Sequence, residues 1–274
     1  MTNVEIGKEI VAAGIKTNYH ELGTGEPVFL IHGSGPGVSA YANWRLVLPT
    51  LGQLFRVIAP DMAGFGFTER PKNYIYSKDN WVEHIIGMLD ALKIERADFI
   101  GNSFGGALAI ATAVKHPDRI GRLVLMGAAG THFELTPGLD AVWGYTPSIE
   151  KMRNLLDIFA FDRSLVNDEL AKLRYEASIR PGFQESFGSM FPAPRQRWVD
   201  ALASSDEQIR NLANEVLLIH GRDDQVVPLS SSLRLFQLLE NVQLHSFARC
   251  GHWVQIEAAN DFCRLVVDFL SKPH

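Results

Sequence analysis

Ser103 lies in the stretch Gly101-Asn102-Ser103-Phe104-Gly105-Gly106. A short apolar run, Ala97-Asp98-Phe99-Ile100, precedes it, and an alanine-rich helical pattern from Ala107 to Lys115 follows. Strand, sharp turn and helix, with Gly-x-Ser-x-Gly at the turn, is the pattern of a nucleophile elbow. Such a turn strains the serine backbone and lifts its hydroxyl above the sheet edge. Gly101 and Gly105 lack the Cβ atoms that would collide in the bend. The plain alternative is a helix-starting serine with glycines for close packing. A serine hydroxyl is a poor nucleophile near neutral pH, so it needs a base, and the base needs a third group to fix its tautomer.

Elbows of this kind belong to the α/β-hydrolase fold, where the chain order is Ser, then Asp or Glu, then His. Here that order gives Ser103, Asp224 and His252. His252 follows the last apolar run and has Gly251 before it. His20, His84, His116, His132, His245 and His274 lack such a placement, and His220 precedes the acid. Asp223 and Asp224 are adjacent; the pattern Gly-x-x-Asp-x-x-x-Pro, Gly221 to Pro228, selects Asp224. The oxygen that becomes negative during acyl transfer needs backbone N–H donors. Phe104, which follows the nucleophile, is one candidate. Ser34, in His32-Gly33-Ser34-Gly35, is the other, unless that loop is merely a glycine-rich turn. The loop lacks the Lys-Ser/Thr of a phosphate loop. No metal-ligand set and no cofactor motif is visible.

These residues need a sheet to carry them. Pro27–Ile31 runs apolar without alternation, as a strand buried on both faces does. Phe55–Ala59, Ala97–Ile100, Arg122–Met126, Glu215–His220 and Val242–Phe247 read as further strands. An opening hairpin sets Ile10-Val11 against Thr17–Tyr19. Ser77 caps a helix to about Leu92, with Trp81, Ile85, Met88 and Leu89 on one face. Helices are also expected from about Ser230 to Leu239 and from Ala258 to Leu270. Alternating strands and helices imply a doubly wound, mostly parallel sheet with ligands at the carboxyl ends of the strands. Every candidate above sits just after a strand.

Between Thr131 and Ser204 no strand pattern occurs. The segment is rich in aromatic residues and Met, with helical spacing at Ile149, Met152, Leu155, Leu156 and Phe159, and again at Leu165, Leu170, Leu173 and Ala177. Pro147, Pro181, Pro192 and Pro194 divide it. It is too long for one crossover. The expected organisation is a core α/β domain over 1–130 and 205–274 with an inserted helical lid over 131–204.

The 274 residues are 46% hydrophobic and 21% charged, enough for a sizeable core. The net charge of -5, with no Lys or Arg run, argues against nucleic acid or an anionic membrane as partner. Met1 to Ile10 lack the apolar block of a signal peptide, and no stretch approaches the ~18 apolar residues that span a bilayer. Cys250 and Cys263 form no disulfide framework, so a cytoplasmic enzyme is expected.

Taken together, the sequence resembles the meta-cleavage product hydrolases of the α/β-hydrolase superfamily over nearly its whole length. The resemblance rests on His-Gly-Ser-Gly-Pro-Gly (32–37), Asn-Trp-Arg (43–45), Gly-Asn-Ser-Phe-Gly-Gly (101–106), Leu-Met-Gly-Ala-Ala-Gly (125–130), Leu-Arg-Tyr-Glu-Ala (173–177), Gly-Arg-Asp-Asp-Gln-Val-Val-Pro (221–228) and Cys-Gly-His-Trp (250–253). It implies bacterial degradation of aromatics. The implied substrates are 2-hydroxy-6-oxo-hexa-2,4-dienoates, cleaved at a carbon–carbon bond to 2-hydroxypenta-2,4-dienoate and a carboxylic acid.

The resemblance also assigns Arg174, Asn43, Asn102 and Trp253 to the substrate. A carboxylate buried under an apolar lid needs a partner, and Arg174 can supply a charge-assisted bond; by spacing alone Arg174 would be a solvated helix charge. The acyl side is placed at Ala129, Trp143, Val199, Val226 and Val227. The pattern is similar to members acting on small-alkyl products of cumene- or toluene-type pathways, and family members form dimers or larger assemblies. A general carboxylesterase would share the triad, and a receptor of this fold could keep it without turnover. Haloalkane dehalogenases and epoxide hydrolases place Asp where this chain has Ser103.

Overall fold

A computed structural model of the protein describes residues 3–272. Met1, Thr2, Pro273 and His274 lie outside the described residues, and with them the expectation for His274 and the start of the Met1–Ile10 reading. The opening hairpin pairs β1 (Lys8–Ala12) with β2 (Ile15–Leu22), Ile10 opposite Thr17 and Lys8 opposite Tyr19. The remaining strands are β3 (Pro27–Ile31), β4 (Arg56–Pro60), β5 (Ala97–Asn102), β6 (Ile120–Met126), β7 (Val216–Gly221) and β8 (Val242–Phe247). They form one sheet in the order β1-β2-β4-β3-β5-β6-β7-β8. β2 runs antiparallel to both β1 and β4, and every pairing from β4 to β8 is parallel. The doubly wound, mostly parallel α/β sheet is the one expected.

The apolar run of β3 shows why the centre holds. Val28 and Leu30 turn to one face and join Trp44, Leu51, Phe262 and Val266. Phe29 and Ile31 turn to the other and join Trp81, Ile85, Leu108 and Leu123. Strand side chains alternate, so a strand covered on both faces must be apolar throughout. Each such side chain contributes roughly 1.5–3 kcal/mol on burial. Helices α1 (Ala40–Trp44), α2 (Leu48–Leu51), the short α12 (Val254–Glu257) and the closing helix α13 (Ala259–Leu270) cover the first face. Helices α3 (Lys78–Ala91) and α4 (Phe104–Lys115), with α11 (Leu229–Leu238), cover the second. Ser77 caps α3 by accepting from the Asn80 N–H, and Trp81, Ile85, Met88 and Leu89 are all buried, as the pattern predicts. Helix α4 starts three residues before Ala107, immediately after the serine, because the elbow itself opens it.

Between β6 and β7 the chain forms α5 (Pro137–Trp143), α6 (Ile149–Phe159), α7 (Asp168–Ser178), α8 (Phe183–Met190), α9 (Gln196–Leu202) and α10 (Asp206–Arg210). Thr136, Ser148 and Asn167 cap the first three through their side chains. The four prolines fall between helices. The Ser204 N–H donates to the Gly130 carbonyl across 2.9 Å, so the two ends of the 131–204 segment meet. Helix α6 buries Met152, Leu155, Leu156 and Phe159 as its spacing predicts. The second apolar series splits differently. Leu165 lies in a turn before α7, Leu173 is exposed, and both border a cavity rather than the core.

Candidate active site

Ser103 has φ +54° and ψ −114°, a region side chains rarely occupy. Strain of this kind costs of order 1–3 kcal/mol and persists only where the surroundings fix it. Four backbone hydrogen bonds do so. The Ser103 N–H donates to Met126 O (2.9 Å), and the Ser103 carbonyl accepts from Gly106 (2.9 Å), Ala107 (3.2 Å) and Ala129 (3.1 Å). The flanking glycines are obligatory: a Cβ on Gly101 would sit 2.5 Å from Gly105 O, and one on Gly105 would sit 2.1 Å from Ile31 O. The strained turn between two close-packed glycines is the backbone geometry that the sequence pattern implies.

Asp224 lies in the loop after β7. Its Oδ1 accepts from the N–H groups of Val226 (2.7 Å) and Val227 (3.0 Å), and its Oδ2 accepts from His252 Nδ1 (2.7 Å). A carboxylate there fixes the hydrogen on Nδ1 and leaves Nε2 with a free lone pair. The neighbouring Asp223 turns away and accepts from the Arg249 N–H (2.8 Å). His252 is seated by its own N–H, which donates to Phe159 O (2.7 Å), in α6. Gly127 brings ring and nucleophile strand together: a Cβ there would stand 3.3 Å from His252 Nδ1, and Gly127 directly follows Met126, the partner of Ser103. Among the described residues no hydrogen bond joins Ser103 to His252. The Asp224–His252 contact is tight and the Ser103–His252 pair is open; hydrogen bonds between catalytic groups often close only around substrate.

Phe104 is the first residue of α4, so its N–H has no acceptor within the helix. The His32–Gly35 loop leaves β3 beside it, since β3 and β5 are neighbours. His32 Nε2 accepts from the Met62 N–H (3.0 Å), so Nδ1 carries the hydrogen and donates to Gly33 O (2.8 Å). Burial pulls His32 down to about 4, which keeps it neutral in this role. Ser34 Oγ accepts from Trp143 Nε1 (3.0 Å), in α5.

A cavity of about 410 Å³ opens over this edge of the sheet, bordered by Ser34, Asn43, Asn102, Arg174, His252 and Trp253. Its size suits a small ligand. Arg174, on α7, donates from Nη2 to Pro36 O (3.4 Å), and among the described residues no carboxylate forms an ion pair with it. Burial, followed by repulsion from Arg45 and Arg180, pulls the guanidinium down to about 10, against the attraction of Glu5; it stays cationic at neutral pH. Along its lining, Asn43 Nδ2, Asn102 Oδ1 and Gln255 Oε1 are buried without a hydrogen-bond partner among the described residues. Buried polar atoms left open cost about 1–3 kcal/mol each, which makes them receptive to a polar ligand. Among the described residues no group of three His, Cys, Asp or Glu side chains is placed to hold a metal ion.

A family model for the alpha/beta hydrolase fold matches residues 26–259. The chain is 64% identical over 273 residues to a 2-hydroxy-6-oxo-2,4-heptadienoate hydrolase of Pseudomonas putida, covering 99% of each chain. It is 63% identical over 268 residues to a 2-hydroxymuconate semialdehyde hydrolase of Pseudomonas sp. strain CF600, covering 98% of this chain and 95% of that one. Among solved structures, the meta-cleavage product hydrolase of Pseudomonas fluorescens IP01, an S103A mutant complexed with acetates, superposes with a TM-score of 0.97 at 72% identity, covering 98% of each chain. This chain belongs to the meta-cleavage product hydrolases of the α/β-hydrolase fold.

For a meta-cleavage product hydrolase, the cavity holds features the sequence reading passed over. Arg45, Gln255 and Phe159 border it beside the expected residues. Arg45 stood in the Asn-Trp-Arg motif but carried no role; its Nη1 donates to Ala42 O (2.6 Å), which leaves the charge beside the cavity. Phe159 read as core, yet its ring stacks 4.9 Å from that of Trp253 and its carbonyl anchors His252. Gln255 carried no motif signal. Ala129, Trp143, Val199, Val226 and Val227 are buried and do not border the 410 Å³ cavity. Four of them touch the machinery through polar atoms instead: Ala129 bonds Ser103, Trp143 bonds Ser34, and Val226 and Val227 bond Asp224.

Proposed function

We propose that this hydrolase cleaves the carbon–carbon bond of 2-hydroxy-6-oxo-hexa-2,4-dienoates bearing a small alkyl group on the distal carbonyl. The products are 2-hydroxypenta-2,4-dienoate and a carboxylic acid. The observation that carries this reading is Arg174, a buried cation that among the described residues forms no ion pair with a carboxylate, in the same cavity as His252. A neutral ester needs no such group, whereas a dienoate carboxylate does. The relative from Pseudomonas putida, named for a heptadienoate, supports the small-alkyl choice.

Arg174 binds the carboxylate, with Asn43, Asn102 and Trp253 as further contacts. A carbon leaving group is poor, so the dienol first becomes a ketone: the 2-hydroxyl loses its proton and C5 gains one, with His252 as the carrier. Ser103 then attacks the distal carbonyl, giving its proton to His252, while Ser34 and Phe104 N–H groups hold the oxyanion. The C5–C6 bond breaks, its electron pair passing along C4 and C3 to the 2-oxo oxygen, which takes the proton from His252 to give the 2-hydroxydienoate, and water releases the acyl group as the carboxylic acid. Ala129, Trp143, Val199, Val226 and Val227 flank the acyl side. Residues 131–204 act as a lid hinged where Ser204 meets Gly130. Among the described residues no helix is long and apolar enough to cross a membrane; we place the enzyme in the cytoplasm, as a homo-oligomer.

The test is a rate comparison on purified protein. It sets 2-hydroxy-6-oxohepta-2,4-dienoate, followed by loss of its yellow absorbance, against a nitrophenyl ester. A far higher kcat/KM on the dienoate is expected. A dominant ester rate would make this a general carboxylesterase, and turnover of neither would point to a binding protein.

A further inference from the structure

Asp224 has more neighbours than a triad requires. With Oδ1 filled by Val226 and Val227 and Oδ2 by His252, a second imidazole still faces Oδ2. His220, at the end of β7, is fully buried, and its Nε2 lies 3.5 Å from that oxygen. The same Nε2 lies 3.0 Å from Val227 O, which can only accept, so Nε2 carries the hydrogen. Its Nδ1 is therefore the acceptor for Ser232 Oγ, 2.7 Å away on α11. Burial pulls His220 below its ordinary range, against the attraction of Asp224, and keeps it neutral in this one tautomer. The N–H thus points between Val227 O and Asp224 Oδ2.

We propose that His220, oriented by Ser232, is a positioning residue that holds the Asp224 carboxylate and tempers the basicity of His252. The donor draws off part of the carboxylate charge that stabilises the His252 imidazolium. Without it the imidazolium would persist to higher pH and less free base would be available. The titratable groups around the pair are Asp224 and His252 themselves, with Asp223 and Cys250 on the adjoining loops and Glu257 at the end of α12. The role rests on the triad of the proposed function, and the spacing of the sequence had set His220 aside because it precedes the acid.

The test titrates the His252 imidazole by NMR and records the pH profile of kcat/KM on both dienoate and nitrophenyl ester. His220→Leu should raise the His252 pKa by about half a unit. It should lower kcat about threefold on the acid limb of the profile, the most that a half-unit shift removes, with KM held within about twofold. His220→Gln, which keeps a donor, should restore most of both. If His220→Leu does not fold, Ser232→Ala decides, with an upward shift expected. An unmoved His252 pKa in the deciding variant overturns the proposal, because loss of packing alone would lower stability without moving it. Wild-type turnover of the ester but not the dienoate would sink the substrate reading while leaving this test intact.

Discussion

The indole N–H of Trp143 reaches across 3.0 Å to Ser34 Oγ, tying helix α5 to the loop that ends β3. The ring itself is fixed by stacking on Phe191, 4.3 Å centroid to centroid at 11°. In the proposed mechanism the Ser34 backbone N–H is the second oxyanion donor, and a hydrogen bond to the Ser34 side chain would aim that N–H. Trp143→Phe keeps the stack and loses the hydrogen bond. It should lower kcat about 5-fold, the worth of a single net hydrogen bond, with little change in Tm. An unchanged kcat would leave the contact as packing.

Ser103→Ala removes the nucleophile and keeps the strained turn, because the four hydrogen bonds that fix it are all backbone. Carbon–carbon cleavage should fall by roughly 10³-fold or more while dienoate binding survives. Stopped-flow spectra of the bound dienoate in this variant would separate the two. Normal turnover would remove Ser103 from the mechanism.

Features set by local rules were legible in the sequence. The elbow needs glycine where a Cβ would strike Gly105 O or Ile31 O, and only the Gly-x-Ser-x-Gly spacing meets that demand. Ser77 before an apolar face of period 3.6 announced α3. The choice of Asp224 over Asp223 followed from a short pattern because the loop after β7 can turn only one of two adjacent carboxylates inward. What depended on folding at a distance was not legible. Leu165 and Leu173 have core spacing, yet the cavity replaces the core beside them. His220 and Ser232 meet across a strand–helix contact that no local pattern encodes. The role proposed for Arg174 came from the family resemblance; its spacing is that of any solvated helix charge.

Arg174→Ala should separate the two ester and dienoate activities. A charge-assisted hydrogen bond lost from a shielded site costs about 1.5–3 kcal/mol, so KM for the dienoate should rise roughly 10- to 100-fold. The nitrophenyl ester should change by less than about threefold. Arg174→Lys should recover part of the loss, since it restores charge without the planar fork. Equal losses on both substrates would mean that α7 had simply shifted, and circular dichroism with Tm would accompany the comparison.

Stability should fall as the solution is made acid, and two buried histidines set the direction. Burial pulls His32 and His84 from 6.5 down to about 4. Unfolded histidine takes a proton below about pH 6.5 that the folded state refuses, so their contribution is complete above 6.5 and lost as pH falls toward 4. Asp61 works in the opposite sense. Burial pushes its carboxyl from 3.8 up to about 6, opposed by donors from Ala40, Phe67 and Asn18, so its contribution is complete below 3.8 and lost as pH rises toward 6. Each group is worth roughly 3 kcal/mol, and two histidines outweigh one carboxylate over nearly the same window. Unfolding free energy from urea titrations should therefore drop by on the order of 3 kcal/mol between pH 6.5 and 4. His84→Gln should be less stable at pH 7, where His84 bonds Thr17 Oγ1 (2.7 Å) and the Ala63 N–H (3.3 Å), but its stability should slope less steeply with pH. A wild-type protein that gained stability toward pH 4 would mean that Asp61 outweighs both histidines.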